Sequence, residues 1–116
     1  MAHAVRHADE VEAQRGVFKA MRQELGASAF GVNQLQLGSG AEGPEHDHSA
    51  DGQEEVYVIV RGSGTYVIDG EEVPIREGDV FRFDPETTRG PKAGPDGLTM
   101  LAVGAPRGSY EPRGSF

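Results

Sequence analysis

From residue 30 onward, short apolar runs alternate with turn residues at a nearly regular interval, and this constrains the fold more than any other feature. Residues 30–37, 54–60, 65–68, 72–75, 80–83 and 98–103 are rich in Val, Ile, Leu, Phe and Tyr, and Gly, Pro or Asp clusters separate them. Runs of this length with turn signals every ~8–12 residues read as the strands of an antiparallel all-β sandwich or barrel. Asp69-Gly70 is the sharpest of these signals. Both positions of a two-residue hairpin turn need positive φ, which this pair tolerates. Seventeen glycines and seven prolines in 116 residues fit a chain with many tight turns. Helical segments do not alternate with the strands, which excludes a parallel α/β architecture.

The length suits one domain, organised as an N-terminal arm (1–28), a barrel (29–104) and a tail (105–116). Val17, Met21 and Leu25 recur at a spacing of four with Gly26 behind them, which predicts a short helix over 17–25. Residues 38–44 and 85–95 read as loops. Pro106, Gly108, Pro112 and Gly114 make the tail irregular. Val56, Val58 and Val60 leave one strand apolar on both faces, more than the outer surface of a small barrel tolerates uncovered. A homodimer is therefore expected.

A net charge of −8 argues against nucleic acid or an anionic membrane as partner. With no cysteine, disulfides and thiolate ligands are excluded. The first fifteen residues carry no apolar signal core, and no later stretch is long enough to span a bilayer. The expectation is a soluble cytoplasmic protein.

His46-Asp47-His48 follows a Gly-Pro loop and precedes a strand that begins near Glu55. Histidines two apart share one face of an extended segment, so both imidazoles can meet one ion. Antiparallel pairing can bring Glu55 beside them. Two imidazoles and one carboxylate suit Fe(II), Mn(II), Ni(II) or Zn(II), with positions left for water or substrate. The plain competitor is a polar loop with solvated histidines. His3 and His7, at a spacing of four in the arm, read as exposed bystanders. Gly38-x-Gly40-x-x-Gly43 matches a nucleotide-binding pattern, but Pro44 stands where a helix should start, so the match is accidental.

The chain resembles the cupin superfamily over residues 30–103. Gly40, five residues, His46-x-His48, six residues, Glu55, six residues and Gly62 reproduce the family's first motif, with a loop after the second histidine two or three residues longer than usual. The resemblance implies a jelly-roll-like antiparallel β-barrel in which His46, His48 and Glu55 are metal ligands. Glu55, Tyr57 and Ile59 would face the interior, and Val56, Val58 and Val60 the other side. The second motif departs from the family. Counted from Gly78, Asp84 takes the proline position, Glu86 the glycine position and Ala93 the asparagine position, while Arg89 replaces the fourth ligand, a histidine. Arg89 is either a surface arginine of the 85–95 loop paired with nothing, or it pairs with Glu55 across the cavity, or it clamps a carboxylate-bearing ligand. Arg89 and Tyr57 are the candidate substrate-binding residues, although Tyr57, like Phe81, also reads as core. The function implied is a small-molecule-binding cupin with a divalent metal. If it is an enzyme, the resemblance implies an oxygenase, isomerase or lyase acting on a small polar metabolite. The alternatives are a non-catalytic sensor or binding module, or a structural dimer with a relict site.

Overall fold

The computed structural model describes residues 2–114. Its elements are a 3-10 turn (Ala8–Glu10), β1 (Phe18–Lys19), helix α1 (Met21–Leu25), β2 (Gly31–Leu37), β3 (Gln53–Ile68), β4 (Glu71–Arg76), β5 (Val80–Phe83) and β6 (Arg89–Pro106). All strand pairs are antiparallel.

Two long strands, β3 and β6, each run through both layers of the barrel. The first half of β3 lies between β5 and the second half of β6, with Tyr57 opposite Phe81 and Ala102. Its second half lies between β4 and the first half of β6, with Tyr66 opposite Val73 and Pro91. Between these halves the register slips twice, at Ile59/Arg61 and at Gly62/Gly64. Such irregularities let a strand turn a corner from one layer to the next. The corner is glycine-dependent. A Cβ on Gly62, whose φ is +85°, would lie 2.1 Å from the Gly97 carbonyl oxygen, and one on Gly64 would lie 2.1 Å from that of Lys92. Only residues without a side chain allow the two backbones to approach so closely.

The interior is filled from alternate positions of these strands. Tyr57, Ile59, Tyr66, Phe83, Leu98, Met100 and Ala102 are buried, joined by Leu37 and Ile75. Burying a side chain the size of Ile59 or Met100 contributes about 1.5–3 kcal/mol. Tyr57 and Phe81 stack with an interplanar angle of 1°, Tyr66 and Phe83 pack edgewise against both, and Tyr66 and Phe83 are tilted against each other. At the β3–β4 hairpin, Asp69 and Gly70 take the expected positive φ, 48° and 85°.

Three local readings need correction. The helix is one turn, Met21–Leu25, because Phe18 and Lys19 are drawn into a strand against Leu35 and Gln34. Gly26 caps it in the left-handed conformation, as the sequence indicates. Residues 54–60 and 65–68 belong to one bent strand rather than two. The stretch read as a loop over 85–95 contains the first part of β6, where residues 89–93 pair with residues 64–68 of β3.

Candidate metal site at the barrel mouth

The path from His46 to Glu55 is set by backbone hydrogen bonds before any side chain acts. His46 and Arg89 exchange both of theirs, at 2.9 and 3.0 Å, so the segment carrying the first histidine lies on the first residue of β6. The His48 amide donates to the Pro85 carbonyl at 2.7 Å. Glu55 is fixed in β3 opposite Phe83 and Gly104. The 46–48 segment and the start of β3 thus meet the distant Pro85–Arg89 stretch at one rim.

His46, His48 and Glu55 converge there, with one ligand-type atom from each within 4.8 Å of the others. The Nε2 atoms of His46 and His48 lie 3.8 and 3.3 Å from the same Glu55 oxygen, Oε1. An ion held at ~2.1 Å places neighbouring donors ~3.0–3.4 Å apart in octahedral or tetrahedral geometry. The three groups therefore fit a first-row divalent ion with little movement. Side-chain exposure falls inward, from 39% at His46 through 21% at His48 and 12% at Glu55 to 0% at Arg89. One face of the cluster is open to solvent and the other is closed by protein.

The closed face belongs to Arg89 and Tyr57. Arg89 Nη2 donates to Glu55 Oε1, and Nη1 donates to the carbonyls of Thr87 at 2.8 Å and Asp84 at 3.3 Å. The guanidinium carbon sits 5.0 Å from the Phe83 ring centroid. Nε is buried with no hydrogen-bond partner among the described residues. The Tyr57 hydroxyl donates to the same Glu55 oxygen at 3.1 Å. Both candidate substrate-binding residues are thus turned onto Glu55. They reach the open face through that carboxylate.

The electrostatics follow from this packing. Burial acts to raise the Glu55 pKa, but contacts with His46 and Arg89 and the charges of His48 and Arg89 outweigh it and bring it down to about 2. Glu55 is ionised at neutral pH, as a metal-binding carboxylate must be. Burial, then the Glu55 charge, pushes the Tyr57 phenol well above its ordinary value, so it stays a donor. Burial and then Tyr57 do the same to Tyr66.

The sequence reading missed Asp51. Its carboxylate oxygens lie 3.0 and 3.1 Å from His48 Nδ1, and the His48 hydrogen bond holds its carboxyl below the ordinary value. The longer loop after His48 was its one trace in the sequence, and loop length alone does not place the carboxylate. His7 caps the N-terminal 3-10 turn and His3 is exposed, so neither joins the cluster.

Fold and cluster together define a small jelly-roll barrel with a His-His-carboxylate group at one mouth. The chain belongs to the cupin family, whose cupin domain profile matches residues 34–104. It is similar to a cupin protein from Bacteroides fragilis, with a TM-score of 0.83 and 25% identity over 98% of this chain and 92% of that one. An RmlC-like cupin protein from Desulfovibrio desulfuricans aligns with a TM-score of 0.66 and 26% identity over 91% and 92% of the two chains. A predicted oxalate decarboxylase from Thermotoga maritima shares the fold, with a TM-score of 0.72 and 24% identity over 87% and 97%. No curated protein matches the sequence. Among the described residues no helix is long and apolar enough to cross a membrane.

Proposed function

We propose that this cupin holds a divalent first-row metal ion on His46, His48 and Glu55 and binds a small polar metabolite beside it at the barrel mouth. The observation that carries the reading is the placement of both imidazole Nε2 atoms within 3.3–3.8 Å of one ionised carboxylate oxygen. A bound ion would supply Lewis-acid polarisation of a substrate oxygen, or activation of water or dioxygen. The protein's own part is positioning. Arg89 and Tyr57 fix the Glu55 rotamer from below, and the aromatic cluster beneath keeps water from the closed side. Because the three side chains that would hold the ion are exposed on one side only, a small polar substrate would approach from solvent, which fits oxygenase, isomerase or lyase chemistry.

One observation favours a second reading, a non-catalytic binding module with a relict site. Arg89 already neutralises Glu55, which lowers the attraction a cation feels there. Calorimetric titration of untagged protein with Zn(II) separates the two readings. One equivalent that binds, and is lost in His46→Ala, supports the metal site. Absence of saturable binding in the wild type supports the module.

We also propose a homodimer through the outer face of β3. The register puts Val56 and Val58 on one face with Val103, Leu101, Val32 and Val80. Val80 is 64% exposed and Val60 46%. An apolar sheet face of this kind calls for cover, and a second copy supplies a matching surface.

A further inference from the structure

We propose that Asp51 is a positioning residue that fixes the His48 ring for metal, a role that rests on the metal reading above. The loop from His48 to Glu55 is longer than the family pattern, and its extra length forms a tight turn. The amides of Asp51 and Gly52 both donate to the His48 carbonyl, at 3.2 and 2.8 Å, with Gly52 at a φ of +68°. That turn folds the Asp51 carboxylate back onto the ring it follows, 3.0 and 3.1 Å from Nδ1. The Gln53 amide donates to Asp51 Oδ1 at 3.2 Å and holds the carboxylate in place.

An ionised carboxylate only accepts, so Nδ1 is the nitrogen that carries the proton in the neutral ring. Nε2 is left with its lone pair directed at the Glu55 side of the site, 3.3 Å from Oε1. That oxygen already accepts hydrogen bonds from Arg89 Nη2 and the Tyr57 hydroxyl, so it does not need a proton on Nε2 to be satisfied. A carboxylate behind a ligating imidazole selects the tautomer, fixes the ring plane and strengthens the donor. His46 has no such partner among the described residues. The chain has an arginine where the family places its fourth ligand, a third imidazole, and it has a carboxylate behind one of the two imidazoles that remain. The longer loop is the means by which that carboxylate arrives.

The test has a metal-free arm and a metal arm. Ring nitrogen NMR of the metal-free protein, at a pH well above the ordinary imidazole value of ~6.5, reports the tautomer. The wild type should show His48 protonated at Nδ1. Asp51→Ala should shift the ring toward the Nε2-protonated form, while Asp51→Asn, whose amide oxygen still accepts, should retain most of the Nδ1 form. In calorimetric titration with Zn(II), Asp51→Ala should bind ~10–100-fold more weakly than the wild type, with Asp51→Asn between them. An Nε2-protonated His48 in the wild type, or the same tautomer and affinity in wild type and Asp51→Ala, would overturn the proposal. A wild type that shows the expected tautomer but binds no Zn(II) overturns the metal reading, and with it the purpose assigned to Asp51, without touching the placement of the ring.

Discussion

Replacing Arg89 with histidine removes a buried positive charge and sets an imidazole on the first residue of β6, beside His46. Arg89 Nη2 is bonded to the oxygen that lies 3.3 and 3.8 Å from the two ligand nitrogens, so an ion among these atoms would sit ~4 Å from the guanidinium. At that distance, with an effective dielectric of ~20, two unit charges interact by about 4 kcal/mol, and an ion of higher charge feels more. If a third of that repulsion is relieved, affinity rises about tenfold, or ~1.4 kcal/mol, before any contribution from the new donor. The same change should weaken the metal-free fold. It leaves Glu55 buried without its cation, which typically costs about 3–5 kcal/mol. The variant's stability should therefore depend on metal, recovering ~2.7 kcal/mol when Zn(II) is present at ~100 times its dissociation constant. Calorimetric titration and thermal melts with and without Zn(II) give both quantities. Arg89→Gln removes the charge without adding an imidazole and so isolates the Coulomb part. Equal Zn(II) affinities in wild type and Arg89→His would mean that the guanidinium exerts no field on the site.

Three further outcomes follow from the packing and electrostatics. Gly62→Ala should cost more than ~3 kcal/mol in urea unfolding, since its Cβ would lie 2.1 Å from a carbonyl oxygen, whereas Gly70→Ala, at the same φ of +85° but in open space, should cost only ~1–2. Similar losses would show that the corner is not tight. Glu55 has its pKa depressed from 4.5 to about 2, so its stabilising contribution is present above about pH 4.5 and is lost as pH falls toward 2. At ~1.36 kcal/mol per pH unit this is about 3 kcal/mol. Unfolding between about pH 7 and pH 3 should show a slope that Glu55→Gln flattens, and an unchanged slope in that variant would assign the acid sensitivity elsewhere. Val58→Lys places a charge on the apolar face of β3, and light scattering at micromolar concentration should report a shift from dimer to monomer. A wild type that is wholly monomeric would count against the dimer.

The elements easiest to read from sequence were those whose signals are local. Asp69-Gly70 specifies its own turn, and Val80–Phe83 and Gly31–Leu37 appear close to where their apolar runs place them. What the sequence hid was set by partners far along the chain. Gly62 and Gly64 look like the ends of strands, but they mark a bend in a continuous one, because the glycines are needed for close approach to Gly97 and Lys92. Gly90 and Pro91 punctuate residues 85–95 like a loop. Pairing with β3, together with the Gly43 amide donating to the Pro91 carbonyl, makes part of it a strand. At the site, the spacing of His46, His48 and Glu55 anticipated their convergence, since a strand and an extended segment have predictable faces. Asp51 was invisible because its contact with His48 depends on the φ of Gly52 and on a turn whose length alone does not fix its shape.

Metal binding by His46, His48 and Glu55 is tested by elemental analysis of untagged protein after incubation with a mixture of Mn(II), Fe(II), Ni(II) and Zn(II) and removal of free ions, with His46→Ala treated in parallel. About one first-row divalent ion per chain is expected in the wild type and little in the variant. A wild type that retains no more metal than His46→Ala would contradict it.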